Sequence, residues 1–346
     1  SEAADKTRYP LDHATKSEVA EYYRRNLINQ FIPAGETVEG YIYTVPGVGV
    51  KEFAVKMLGP GTLKRAHFVF SLPGVHLDYE DLVVEEIYKA EEVIVLNDVT
   101  LRETLENFEC CTTNEKQSGN GDPVNLVVIG EFEEFLPYFI ERGWQVTEDI
   151  YGSSIFREIG AFITGGRYDF APVSELYLFG RGQDFALQKP RENIYRRNHL
   201  RLWLSPYQYE GKPVWLGQIS RDIGVSFSTK NWWLSNHDID MEVDEARNFL
   251  VQDMLMSGGV KRFGYVGGME PADSESPLVN FMDQPIYTDG LSAVFEFSPE
   301  HTDVRDALIF NWEWPKIYDG MREYLNAEAV REAEISRQEK REEKEQ

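Results

Sequence analysis

Cysteine is almost absent from this 346-residue chain, and its two copies, Cys110 and Cys111, are neighbours. A bridge between adjacent residues closes a strained ring instead of clipping a long loop, so two free thiols are expected and the redox compartment is not reported. No apolar run approaches the roughly eighteen residues of a membrane-spanning helix, so no transmembrane segment is expected in this chain and it should be soluble. Positive charge is scarce: 35 Lys and Arg stand against 59 Asp and Glu, a formal net charge of −24. Such a surface repels phosphate backbones and anionic headgroups, which excludes nucleic acid as a partner and leaves membrane binding dependent on a strong local exception. Also missing are a three-glycine dinucleotide fingerprint, a Gly-x-Ser-x-Gly elbow, paired Cys-x-x-Cys or His-Glu-x-x-His metal motifs and any internal repeat.

What is present suits a globular protein, with 42% hydrophobic and 13% aromatic residues. Val19, Tyr22, Tyr23, Leu27 and Phe31 recur at mostly three- and four-residue spacing, which predicts an amphipathic helix over 16–31. Short runs rich in Val, Ile, Phe and Tyr follow (VEGYIYTV, KEFAVKML, HFVFSL, EEVIVLN), several divided by Pro-Gly turns, and predict strands. Thr100 and Glu103 fit a capping box opening a short helix to Phe108. A polar loop at 118–123 leads to a buried strand over 124–129, then a helix over 131–142 stopped by Gly143. A last helix is expected over 241–256, with Val243, Ala246, Leu250 and Met254 on one face and Phe249 widening it. The fold class is α+β: an N-terminal helix over 1–34, a β-rich subdomain over 35–98, a mixed sheet with packed helices over 99–325, and a charged helix or tail over 326–346.

Several stretches carry a family resemblance in the same order: GDPVNLVVIG at 121–130, ERGW at 141–144, APVSELYLFGRGQDFALQKP, HLRLW, VWLG and the HDID run. Together, over roughly 101–255, the chain resembles the LssY C-terminal domain family, named for a protein linked to a type I secretion locus. The resemblance implies continuity of fold and a context leaning to the cell envelope or extracytoplasmic side, without a reaction. A start at Ser1 instead of Met also fits a processed precursor. Asn198 stands where a second histidine would accompany His199, Asp238 where one would accompany His237, and the expected acid-arginine pair is rearranged as Glu245-Ala246-Arg247.

Alternation along the strand 199–204 sends Leu200, Leu202 and Leu204 to one face and His199, Arg201 and Trp203 to the other. The segment 214–220 is expected to pair with it antiparallel and to bring Trp215 near, while Arg221 to Gly224 forms a turn into a strand over 225–229. A face holding imidazole, guanidinium and indole can bind an anion or a partner, with Arg181 and Arg197 as further basic groups. A second constellation, His199, His237, Asp240 and Asp222, has donor types that suit a divalent transition metal, although Asp240 also reads as the N-cap of the last helix. Arg181 between two glycines reads as a tight turn closed by an ion pair to Asp184, and Lys189, Arg191, Arg196, Arg197 and Arg201 as a local basic cluster. The favoured reading is a non-enzymatic binding or assembly subunit, needing no cofactor, whose basic, Trp-rich sheet face meets a protein partner or a second copy. The competing reading is a metal-dependent hydrolase using His199, His237 and Asp240.

Overall fold

The computed structural model describes residues 18, 21, 22, 24, 28, 32–42, 49–60, 62–72, 87–146, 175–193, 196–227 and 235–316. The chain divides into two compact units, Ser1–Val48 and Gly49–Gln346. In the first, positions 18, 21, 22 and 24 are helical as the spacing predicts, and the Ile28 amide donates to the Tyr41 carbonyl at 3.0 Å. The charged stretch over 326–346 and the pair Trp232-Trp233 lie outside the described residues.

The second unit opens with a hairpin of β1 (Gly49–Gly59) and β2 (Thr62–Leu72). Next come β3 (Ile94–Leu96), α1 (Asp98–Glu106), β4 (Cys111–Thr113), β5 (Asn120–Pro123), β6 (Leu126–Ile129), α2 (Phe132–Glu141) and β7 (Gln145–Val146). The middle of the chain supplies β8 (Tyr177–Leu178), β9 (Arg181–Gly182), β10 (Phe185–Asn193), β11 (Arg196–Tyr209), β12 (Lys212–Phe227) and β13 (Ser235–Ile239). Then follow α3 (Val243–Leu255), β14 (Val260–Val266), β15 (Leu278–Val279), β16 (Pro285–Ile286), β17 (Ser292–Phe297) and β18 (Leu308–Phe310). Ten strands form one mixed sheet in the order β18-β14-β17-β6-β12-β11-β10-β7, with β13 joined to β12 and β3 to β11. The fold is α+β and sheet-dominated.

Residue parity sorts the sheet into two faces. Leu126, Val128, Leu200, Leu202, Leu204, Trp215, Ile219 and Phe295 point to one side, where α2 (Phe135, Leu136, Phe139) and α3 (Ala246, Leu250, Met254) cover them. Val127, Ile129, Trp203, Val214, Leu216 and Val294 point to the other and meet Leu101 and Leu105 of α1 with Leu176 and Leu178. Each large apolar side chain removed from water contributes about 1.5–3 kcal/mol, so both layers hold the sheet in register. Gly217 sits where β12 pairs closely with β11: a Cβ there would lie 2.8 Å from Leu202 Cδ2 and 3.0 Å from the Arg201 carbonyl oxygen.

Four local expectations are corrected. The first helix starts at Asp98, three residues early, because Asn97 accepts the Val99 and Thr100 amides while Thr100 Oγ1 accepts the Asn97 amide; the capping box is Asn97/Thr100. The polar loop at 118–123 contains a strand, β5, since Gly121 packs so closely on Thr112 that a Cβ would meet its Oγ1 at 2.5 Å. Arg221 to Gly224 is no turn: β12 runs through it, with a bulge opposite β13. Cys110 and Cys111 are joined as a vicinal disulfide where two free thiols are expected from the sequence. The predicted helices over 131–142 and 241–256 stand as α2 and α3, and Gly143 takes the left-handed conformation (φ 84°) that stops α2.

Candidate functional site: a buried polar layer on the central sheet

The uninterrupted run of β12 decides the site. Because no turn intervenes, Gln218, Ser220 and Asp222 alternate onto the same face as Arg197, His199 and Arg201 of β11. The antiparallel register builds rows across three strands: Gln188, His199 and Ser220 in one, Ala186, Arg201 and Gln218 in the next. Asp122 at the end of β5 and Asn280, between β15 and β16, join from outside the sheet. None of these side chains is on the surface; the most exposed, Asp122, retains 7% of its accessible area.

Hydrogen bonds and ion pairs link the layer. Arg201 Nη1 donates to Gln218 Oε1 at 2.6 Å, Gln218 Nε2 donates to Asp122 Oδ2 at 3.2 Å, and Asn280 Nδ2 donates to Asp122 Oδ1 at 3.1 Å. Arg197 Nη1 donates to Gln188 Oε1 at 2.6 Å, and its Nε lies 3.5 Å from Asp222 Oδ2. His199 Nε2 stands 3.3 Å from the same carboxylate oxygen. Desolvation lowers the Arg201 guanidinium to about 10, against the attraction of Asp122 and Asp222. Desolvation likewise raises the Asp122 carboxyl, against the pull of Arg201 and the Asn280 hydrogen bond. The buried donors without a hydrogen-bond partner among the described residues include Ser220 Oγ, directly across the ladder from His199, and Trp203 Nε1, two residues along β11 from Arg201.

The residues expected to form a site are distributed as follows. His199, Arg201, Trp203 and Arg197 share the layer. Trp215 does not: paired with Leu204, it points to the opposite face, lies edge-on to Phe135 of α2, and donates from Nε1 to the Gly130 carbonyl at 3.1 Å. Arg181 closes the tight β8–β9 hairpin instead. Phe179 and Gly180, both at positive φ, form its two-residue loop, and Arg181 makes a bidentate pair with Asp184 at 2.9 and 2.8 Å. Of the basic cluster, Lys189 faces the helices and pairs with Asp253 of α3 at 2.6 Å.

The donors proposed for a metal fall at separate positions along the β11–β12–β13 ladder. His199 and Asp222 are together, but His237 pairs with Val225, five residues along β12 from Ser220, the partner of His199. At about 3.3 Å per residue, that is roughly 16 Å of backbone. Asp240 is held away by Arg221 at 3.4 Å, and its Oδ1 accepts the Glu242 amide at 3.2 Å. That bond lies just ahead of α3, whose N-cap is Glu242, so the expected N-cap role moves by two residues. Among the described residues no three His, Cys, Asp or Glu side chains are grouped to hold a metal ion.

Sequence reasoning missed Asp122, Gln188, Gln218, Ser220 and Asn280. For β12 a signal was there: Gln218, Ser220 and Asp222 at every second position of a strand whose intervening residues include Gly217 and Ile219. Asp122 and Asn280 arrive by tertiary folding alone, 158 residues apart. No helix among the described residues is long and apolar enough to cross a membrane.

No curated protein and no solved structure matches this chain. A family model does: the one described as LssY C-terminus matches residues 102–291, which takes in the second half of α1, the β11–β12 ladder, α3 and every member of the polar layer. The chain belongs to the LssY C-terminus family.

Proposed function

We propose that this protein is a binding module that takes a small anionic group into the polar layer of its central sheet. The observation that carries this reading is the row structure of β11 and β12. It gathers two guanidiniums, an imidazole, a hydroxyl and an indole N–H within one layer shut off from water, with Ser220 Oγ and Trp203 Nε1 unpartnered among the described residues. Buried polar groups are costly unless they are satisfied, and titratable groups perturbed by desolvation concentrate at functional sites. Arginine and backbone-rigid donors in low dielectric suit phosphate, sulfate or carboxylate. The burial of these side chains favours a small ligand over a protein docked on this face. It also means that entry requires local opening, which slows association below ordinary encounter rates.

Isothermal titration and thermal melting with inorganic phosphate test the reading. Phosphate is expected to bind and to raise the melting temperature. Ser220→Ala, which removes an unpartnered donor, should weaken binding while leaving the ligand-free melting temperature nearly unchanged, and Trp203→Phe should weaken binding too, with a lower melting temperature from the space it leaves in the core. Absence of binding by the wild-type chain to phosphate, sulfate and acetate alike, or equal binding by both variants, overturns it.

A further inference from the structure

The β1–β2 hairpin has two unlike faces. Antiparallel pairing puts Glu52, His67, Arg65 and Val69 on one, and this face is anchored. Arg65 pairs with Glu141 of α2 at 3.1 Å, the His67 ring lies 5.0 Å from that of Tyr138, and Val69 packs on the main core. The other face carries the register pairs Phe53↔Phe68, Lys51↔Phe70, Val55↔Ala66 and Met57↔Lys64. Here Phe68 is 55% exposed, Phe70 46% and Met57 48%, although the Phe53 and Phe68 rings lie 6.3 Å apart, tilted by 32°. The ribbon therefore holds an aromatic strip out to solvent.

Charge identifies what the strip fits. Within residues 49–72 lie four basic side chains, Lys51, Lys56, Lys64 and Arg65, and one acidic, Glu52, in a chain whose net charge is −24. Lys51 and Lys64 stand at opposite ends of the aromatic strip on the same face. We infer that this face of the hairpin docks on an anionic lipid bilayer, the aromatics entering the headgroup region and the lysines meeting lipid phosphates and carboxylates. Lysine stems lie along apolar surface while their ammonium groups stay in water, which is the arrangement an interface requires. The acidic remainder is repelled by the same surface, so docking through the hairpin also sets an orientation. Area argues against a second copy of the chain: the seven positions from Lys51 to Met57 and their partners present a strip of about 24 by 10 Å, or roughly 240 Å². A stable protein interface takes about 800 Å² from each partner.

The experiment is co-sedimentation of the full chain with phosphatidylcholine vesicles that contain or lack phosphatidylserine, at low and high salt. Binding is expected to the phosphatidylserine vesicles only, and to weaken with salt. Phe68→Ser/Phe70→Ser should lower it at least about tenfold. Lys51→Glu/Lys64→Glu should lower it by at least about fivefold per lysine. Circular dichroism melting checks that the variants fold, and Val55→Ser/Met57→Ser provides an independent disruption of the same strip. Failure to bind phosphatidylserine vesicles, equal binding to both vesicle types, or binding indifferent to these substitutions overturns the inference. So does a Phe68-dependent dimer in sedimentation velocity without vesicle binding, which would assign the strip to a second copy.

Discussion

Two faces of the same pair of strands, β11 and β12, behave as different materials. Facing α2 and α3, Leu200, Leu202, Leu204, Trp215 and Ile219 form a dry layer in which the one polar indole atom of Trp215 is satisfied by the Gly130 carbonyl. Facing the other way, one residue along, Arg197, His199, Arg201, Gln218, Ser220 and Asp222 form a layer equally hidden from water but held by charge. The first face is explained by folding: burial contributes stability, and shape complementarity adds to it. Buried ion pairs, in contrast, break about even with an apolar replacement of similar volume, so the second face is not accounted for by stability. That difference is what supports the proposed ligand on the second face.

The contrast can be attacked from either side. Trp215→Ala should have the largest effect, a loss of about 4 kcal/mol in denaturant unfolding from the cavity left against Phe135 and Phe132. Arg201→Met should cost about 3 kcal/mol, because Asp122 and Gln218 lose a buried partner. Adding Asp122→Asn to Arg201→Met should recover part of that loss, a coupling of about 1 kcal/mol or more; additive losses would show that the layer is not one network. The smallest effect is a pH dependence. The folded carboxyl of Asp122 is raised above its unfolded value, so its contribution is fully present below the unfolded pKa and is lost as pH rises through the folded one. The melting temperature of the wild type minus that of Asp122→Asn should therefore fall as pH increases from the acid side, and a difference that grows with pH would contradict the assigned shift.

Much of this architecture is legible without coordinates. Helices α2 and α3 follow from 3.6-residue periodicity and glycine stops, and the β11–β12 pairing from alternation, because these signals are local and repeat over many residues. The sidedness of His199, Arg201 and Trp203 is equally plain in the alternation. Trp215, expected near the His199 face, lies on the opposite one, because its facing depends on the exact register against Leu204, and a shift of one residue reverses every side chain. Arg221 to Gly224 resembles a turn in composition, yet tertiary pairing with β13 keeps it extended. The start of α1 was missed for a similar reason, since Asn97 and Thr100 form as good a reciprocal cap as Thr100 and Glu103 would have formed.

Local chemistry thus settles which residues alternate, where helices stop, and that a strongly acidic chain carries a basic aromatic hairpin. It does so because backbone geometry imposes periods of two and 3.6 on any sequence that buries one face. Which face is dry, which holds buried charge, and that Asp122 and Asn280 meet across 158 residues depend on long-range packing. The reason is physical: burial and desolvation are properties of what covers a side chain, and the cover comes from elements far away in sequence.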